Sequence, residues 1–102
     1  MLNRGVIGTM NARMLFERRQ TFRSGLIEMV IWQLPQADAE RPHGLKYRLV
    51  YIRDRQRIVG YDNERGKGDH KHLGGREEPY TFVSVRTLLD DFWTDVRRLT
   101  DD

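Results

Sequence analysis

Twelve consecutive residues, Tyr61-Asp62-Asn63-Glu64-Arg65-Gly66-Lys67-Gly68-Asp69-His70-Lys71-His72, hold two histidines, three carboxylates, three permanent cations and two glycines. Such a mixture is poor core material and dense in reactive types. His70 and His72 are two apart, so on an extended backbone they point the same way and can act on one substrate. In metal-free RNA cleavage one group takes the proton of the 2′-hydroxyl and another protonates the leaving 5′-oxygen, while cations stabilise the charge on phosphorus. Histidine suits either proton transfer, Arg65, Lys67 and Lys71 suit the phosphate, and Asp62, Glu64 or Asp69 can orient them. This chemistry needs no metal and no cofactor. The rival is a divalent-metal nuclease in which His70, His72, Asp69 and Asp62 ligate a cation that activates water. Lys71, Lys67 and Arg65 raise the electrostatic cost of a dication there. The plain alternative is a polar hairpin loop with solvated histidines.

Gly66 and Gly68 leave the backbone free to approach a ligand, and their N–H groups beside Arg65 and Lys67 can form an anion-binding concavity. The spacing is not that of a Walker loop, which argues against a nucleoside triphosphatase. Other candidates lie outside the segment. Arg76 and Arg48 can add phosphate contacts, and Tyr61, with Tyr47 and Tyr51, can stack bases, although strand aromatics ordinarily pack. Glu77 or Glu78 can anchor Arg65. His43, in a loop rich in proline and glycine, reads as an exposed bystander.

The elements that must position these residues are legible from pattern. Residues 12–22 read as a strand, and Arg23-Ser24-Gly25 as a hairpin turn. The β-branched and aromatic run from Leu26 to Leu34 reads as a central strand stopped by Pro35. Residues 35–44 read as an exposed loop. Residues 46–52 alternate and turn at Asp54-Arg55-Gln56 into residues 57–61. Gly66–Gly75 reads as loop and Tyr80-Thr81-Phe82 as one further short strand. Ser84 is a good N-cap for a helix whose Val85, Leu88, Leu89, Phe92, Trp93, Val96 and Leu99 recur at helical spacing. Asp90, Asp91, Asp95, Arg97 and Arg98 fall mostly on its other side. The expected fold class is α+β: an antiparallel meander of four to five strands with a C-terminal amphipathic helix packed on one face. Residues 1–11 show no period and read as a flexible arm, leaving 12–102 as a single domain.

Composition bounds the function. A chain of 102 residues suits one core, and the two Trp, four Phe and four Tyr supply apolar bulk despite 32% charged residues. The absence of cysteine excludes disulfides, thiolate metal sites and a Cys nucleophile, and suggests a reducing compartment. Arg4 interrupts the early apolar stretch and no apolar run approaches ~20 residues, so the expectation is a cytoplasmic protein with no membrane partner. The net charge is only +3, but arginines crowd residues 1–24 and 41–57 while aspartates gather near the C-terminus. That asymmetry suggests a polarised surface suited to phosphates, or simply a solvated charged face.

The twelve-residue segment, followed by Glu77-Glu78-Pro79-Tyr80 and Leu89-x-x-Phe92-Trp93, resembles the TumE-type toxins of bacterial toxin–antitoxin pairs. Ile31-Trp32-Gln33-Leu34-Pro35 and Lys46-Tyr47-Arg48-Leu49 fit as well, so the resemblance spans residues 13–98. It implies a small cytoplasmic toxin neutralised by a cognate antitoxin with a helix-turn-helix domain. Acidic antitoxin side chains would then lie against Arg65, Lys67 and Arg76. The resemblance brings no catalytic residue set. Ribonuclease action is common among toxins of this size, an argument by analogy. The leading expectation is an endoribonuclease acting on RNA, with DNA as the other possible substrate. The alternatives are a non-catalytic nucleic-acid-binding or interaction module and the divalent-metal nuclease.

Overall fold

The computed structural model describes residues 11–63 and 66–101. The expected arm, except Asn11, and the candidates Glu64 and Arg65 lie outside the described residues. Six strands follow one another as β1 (Arg13–Phe22), β2 (Gly25–Gln33), β3 (Leu45–Arg53), β4 (Gln56–Asp62), β5 (His70–Leu73) and β6 (Arg76–Pro79), and helix α1 (Val85–Leu99) closes the order. Each strand pairs antiparallel with the next, giving one sheet in the order β1-β2-β3-β4-β5-β6. This is the expected α+β meander with a helix on one face, with six strands where four to five were expected. No described helix is long and apolar enough to cross a membrane.

Strand alternation sends Ile27, Met29 and Ile31 of β2, Tyr47, Leu49 and Tyr51 of β3, and Val59 and Tyr61 of β4 into the core, each at most 3% exposed. Helix α1 covers that face with Leu88, Phe92 and Val96, all fully buried. Burying a side chain of this size contributes on the order of 1.5–3 kcal/mol. The helix begins where expected, because Ser84 Oγ accepts a hydrogen bond from the Thr87 amide at 3.0 Å. Arg97 and Arg98 occupy its last turn, where cations complement the helix dipole.

Two hairpins use two-residue turns with positive φ at both central positions, Arg23 (48°) and Ser24 (65°), then Asp54 (53°) and Arg55 (65°). That geometry matches strand twist but is costly for residues other than glycine. At the first turn the Tyr51 hydroxyl shares its proton between the Phe22 and Arg23 carbonyls, both at 2.9 Å. The same ring explains Gly25, since a Cβ there would sit 2.4 Å from Tyr51 ring atoms.

The one departure that matters for function is the β5–β6 hairpin. Residues 70–73 are a strand rather than loop, turning at Gly74 (φ 63°) and Gly75 into β6, and Tyr80-Thr81-Phe82 lies in no strand. His70 and His72 therefore stand on extended backbone.

Candidate functional site

The face of the sheet opposite α1 carries the candidate site. In the β3–β4–β5 register Arg48 pairs with Asp62 and Asp62 with His70, while Gly60 pairs with His72 and His72 with Glu77. Paired residues share a face. Asp62, His70, His72 and Glu77 thus converge, with Arg48 one strand further on.

His70 is the most constrained of them. Its Nδ1 lies 2.9 Å from the Gly68 carbonyl and its Nε2 lies 2.8 Å from Asp62 Oδ1. A carbonyl oxygen only accepts, so Nδ1 carries the hydrogen. Nε2 then faces a carboxylate, an arrangement satisfied by a doubly protonated, cationic ring or by a cation on the Nε2 lone pair. The His70 and Asp62 side chains are 6% and 7% exposed, so water screens the pair little. Gly68, at φ +69°, makes the turn that offers its carbonyl.

His72 stands beside it with ring centroids 5.2 Å apart. Burial lowers the His72 pKa from its ordinary value, the Arg57 charge lowers it further, and Glu77 opposes both. The Arg57 stem lies over Gly60, where a Cβ would come within 2.8 Å of Arg57 Cδ. Gly60 therefore gives Arg57 its route across β4 toward His72. The sequence did not single out Arg57 as a neighbour of His72; the signal available was the glycine in a strand interior, which often marks a close approach by a neighbour. Glu77 Oε2 lies 3.5 Å from His70 Nε2 and 3.8 Å from His72 Nε2 and accepts from Lys67 at 3.2 Å. The Lys67 hydrogen bond holds the Glu77 carboxyl below its usual range. An open recess of about 390 Å³ lies against Lys67, Asp69, His70, Glu77, Glu78 and Pro79.

Asp62, His70 and His72 each offer a ligand atom, all within 4.8 Å of one another. Two imidazoles and a carboxylate form a donor set that divalent transition metals accept. Asp69, the fourth ligand considered from sequence, is not among these three and is engaged elsewhere. His43 Nε2 meets its two oxygens at 2.9 and 3.2 Å, and the Tyr47 hydroxyl donates to it at 3.0 Å. The Leu45 amide donates to His43 Nδ1 at 3.2 Å, so Nε2 carries the hydrogen and donates to Asp69. His43 is no exposed bystander. It pins the 35–44 loop to the chain just before His70, its ring packed at a 39° tilt against Phe82 with 4.2 Å between centroids.

The other candidates separate. Lys71 alternates with the histidines and faces α1, where its Nζ lies 3.4 Å from Asp95 and 5.6 Å from the Tyr61 ring centre. Tyr61 is fully buried and donates to Asp95. Arg76 pairs in register with Leu73 and bridges Glu78 at 3.3 Å, away from the histidine face. The Gly66 amide, assigned from sequence to an anion concavity, donates to Glu40 at 2.9 Å. Asn63 ends the β3–β4 ladder by accepting from the Tyr47 amide (3.1 Å) and donating to the Leu45 carbonyl (2.7 Å).

Among known proteins, the family model described as Toxin TumE matches residues 9–100. The chain matches no curated protein and no solved structure.

Proposed function

The chain belongs to the TumE toxin family, and on that premise we propose that it is an endoribonuclease toxin whose centre is His72 with the Asp62–His70 pair. A toxin of this kind implies a neutralising antitoxin as partner; that the antitoxin carries a helix-turn-helix domain, and that the toxin acts in the cytoplasm, belong to the same proposal. The observation that carries the reading is the contrast between the two rings. His72 has a lowered pKa and is neutral near pH 7, fit to accept a proton. His70 has both ring nitrogens against oxygen acceptors, fit to hold one.

In this mechanism His72 takes the 2′-hydroxyl proton as the 2′-oxygen bonds to phosphorus. The bond from phosphorus to the 5′-oxygen breaks, and His70 returns a proton from Nε2 to that oxygen, leaving a 2′,3′-cyclic phosphate. Asp62 holds the His70 proton at rest, while Arg57, Lys67 and Arg48 meet the phosphate charge. General acid–base groups typically contribute 10²–10⁴-fold. His72→Ala is therefore expected to lose at least ~100-fold in kcat/KM on single-stranded RNA. Full activity in either His72→Ala or His70→Ala would remove the assignment.

The convergence of Asp62, His70 and His72 within 4.8 Å favours one second reading, a nuclease in which these three hold a divalent cation that activates water. That enzyme would be silent in chelator, regain activity on adding a divalent metal, and leave no cyclic phosphate.

A further inference from the structure

Beside the histidine group, on the same open face, lies a second feature, which shares Arg48 and Asp62 with the proposed catalytic group but is built around Trp32 and Lys46, which catalysis does not use. Trp32 of β2 pairs in register with Lys46 of β3, and the neighbouring pair is Val30 with Arg48. Trp32 is half-buried although it stands on the face away from α1. It lines a recess of about 250 Å³ with Val30, Lys46, Arg48, Asp62 and Asn63. That volume falls below the ~300–1,000 Å³ of pockets that enclose a drug-sized ligand, so it suits one planar ring system. The floor is apolar, two cations border it, and Asp62 links it to His70.

We infer that this recess is a nucleobase subsite in which a base of single-stranded RNA stacks on Trp32 while Lys46 and Arg48 hold the adjoining phosphates. The inference rests on the RNA reading of the histidine group and names how that substrate is gripped. An indole face stacks any base, and flanking cations follow the backbone, the combination that single-strand binding uses. Trp32 lies three strands from His70, on the order of 14 Å at ~4.8 Å per strand. The stacked base therefore belongs to a nucleotide beside the cleaved linkage. A base inside a duplex has both faces covered, so the subsite selects single strands.

The chain has two tryptophans, and the other, Trp93, packs against Phe22 and Phe92 on the helix side. Fluorescence can therefore be assigned. The probe is a uniformly 2′-O-methylated single-stranded oligonucleotide of ~8 nucleotides, within common site sizes. It lacks the nucleophile for cyclisation and is titrated into the full chain in EDTA. Saturable quenching is expected, persisting in Trp93→Phe. Trp32→Ala should bind roughly 5- to 150-fold more weakly, the range that loss of one base–aromatic stack produces. Its dependence on salt should be unchanged, whereas Arg48→Gln should reduce the slope of log K against log salt by about 0.7. Trp32→Phe keeps a ring and should retain most of the affinity.

Quenching that follows Trp93, equal affinity in Trp32→Ala, equal loss in Trp32→Phe, or equal quenching by duplex RNA would each overturn the subsite. A protein that quenches as expected but leaves natural RNA intact keeps the subsite and loses the cleavage reading. One that cleaves RNA with KM unchanged in Trp32→Ala does the reverse.

Discussion

Among single residues, the proposed proton transfer depends on His72 being the neutral ring. Burial and the Arg57 charge both disfavour its protonated form. The acidic limb of kcat/KM should therefore lie below the ordinary histidine value of about 6.5. Arg57→Gln removes a neighbouring positive charge, raises the His72 pKa and should shift that limb to higher pH. Gly60→Ala should do the same by pushing the Arg57 stem off β4. A pH–rate profile of the two variants checks this, and an unmoved limb in both would separate Arg57 from the site. The same shift has a consequence for folding. His72 binds a proton less readily folded than unfolded, so its contribution to stability falls as pH drops below about 6.5.

At the scale of elements, the β5–β6 hairpin is the piece that the sequence left illegible. The hairpin turns, the run from Leu26 to Leu34 and the helix were readable because their apolar residues recur at period 2 or 3.6. In β5 the core-facing positions are Lys71 and Leu73, and pattern reading assigns Lys71 to solvent or phosphate. Its partner Asp95 is 24 residues away on α1, so nothing local reveals that the position faces inward. Asp95 was likewise assigned mostly to the polar side of the helix, yet it is 7% exposed. Burial opposes its charge, but hydrogen bonds from Tyr61 and Arg98 and the nearby Lys71 ammonium outweigh burial and hold its carboxyl below the usual range. Asp95→Ala should thus destabilise the fold by about 1–3 kcal/mol, the cost of leaving buried donors unsatisfied. Because the folded carboxyl is the stronger acid, its stabilisation is present above about pH 4 and lost as pH falls through the lowered folded value. Urea midpoints across pH would show both effects, and an unchanged midpoint at neutral pH would contradict the buried role.

At the scale of the whole molecule, the sheet divides labour between its faces. One face meets α1 and holds the core, and the other presents Trp32, Lys46, Arg48, Arg57 and the histidine group. Charge counting from sequence anticipated a basic surface and named Arg48 on it, but not which of the other arginines are engaged elsewhere. Arg41 is engaged by Asp38 at 2.9 Å, Arg23 and Arg53 serve the first turn and the helix end, and Arg98 bonds Asp95. Those roles depend on contacts across the fold that no local spacing encodes. An antitoxin that silences this molecule should cover the open face with acidic side chains against Arg57 and Lys67. A neighbouring helix-turn-helix protein, if cognate, should restore growth on co-expression and bind with an affinity that falls as salt rises. Failure to bind or to rescue would remove the paired-toxin reading.

The most direct test of the central claim is to incubate the purified chain with single-stranded RNA in excess EDTA and identify the 3′ ends of the products. Cleavage that leaves 2′,3′-cyclic phosphate and is lost in His72→Ala is expected. Intact RNA under these conditions, whether or not a divalent metal later restores cleavage, would contradict it.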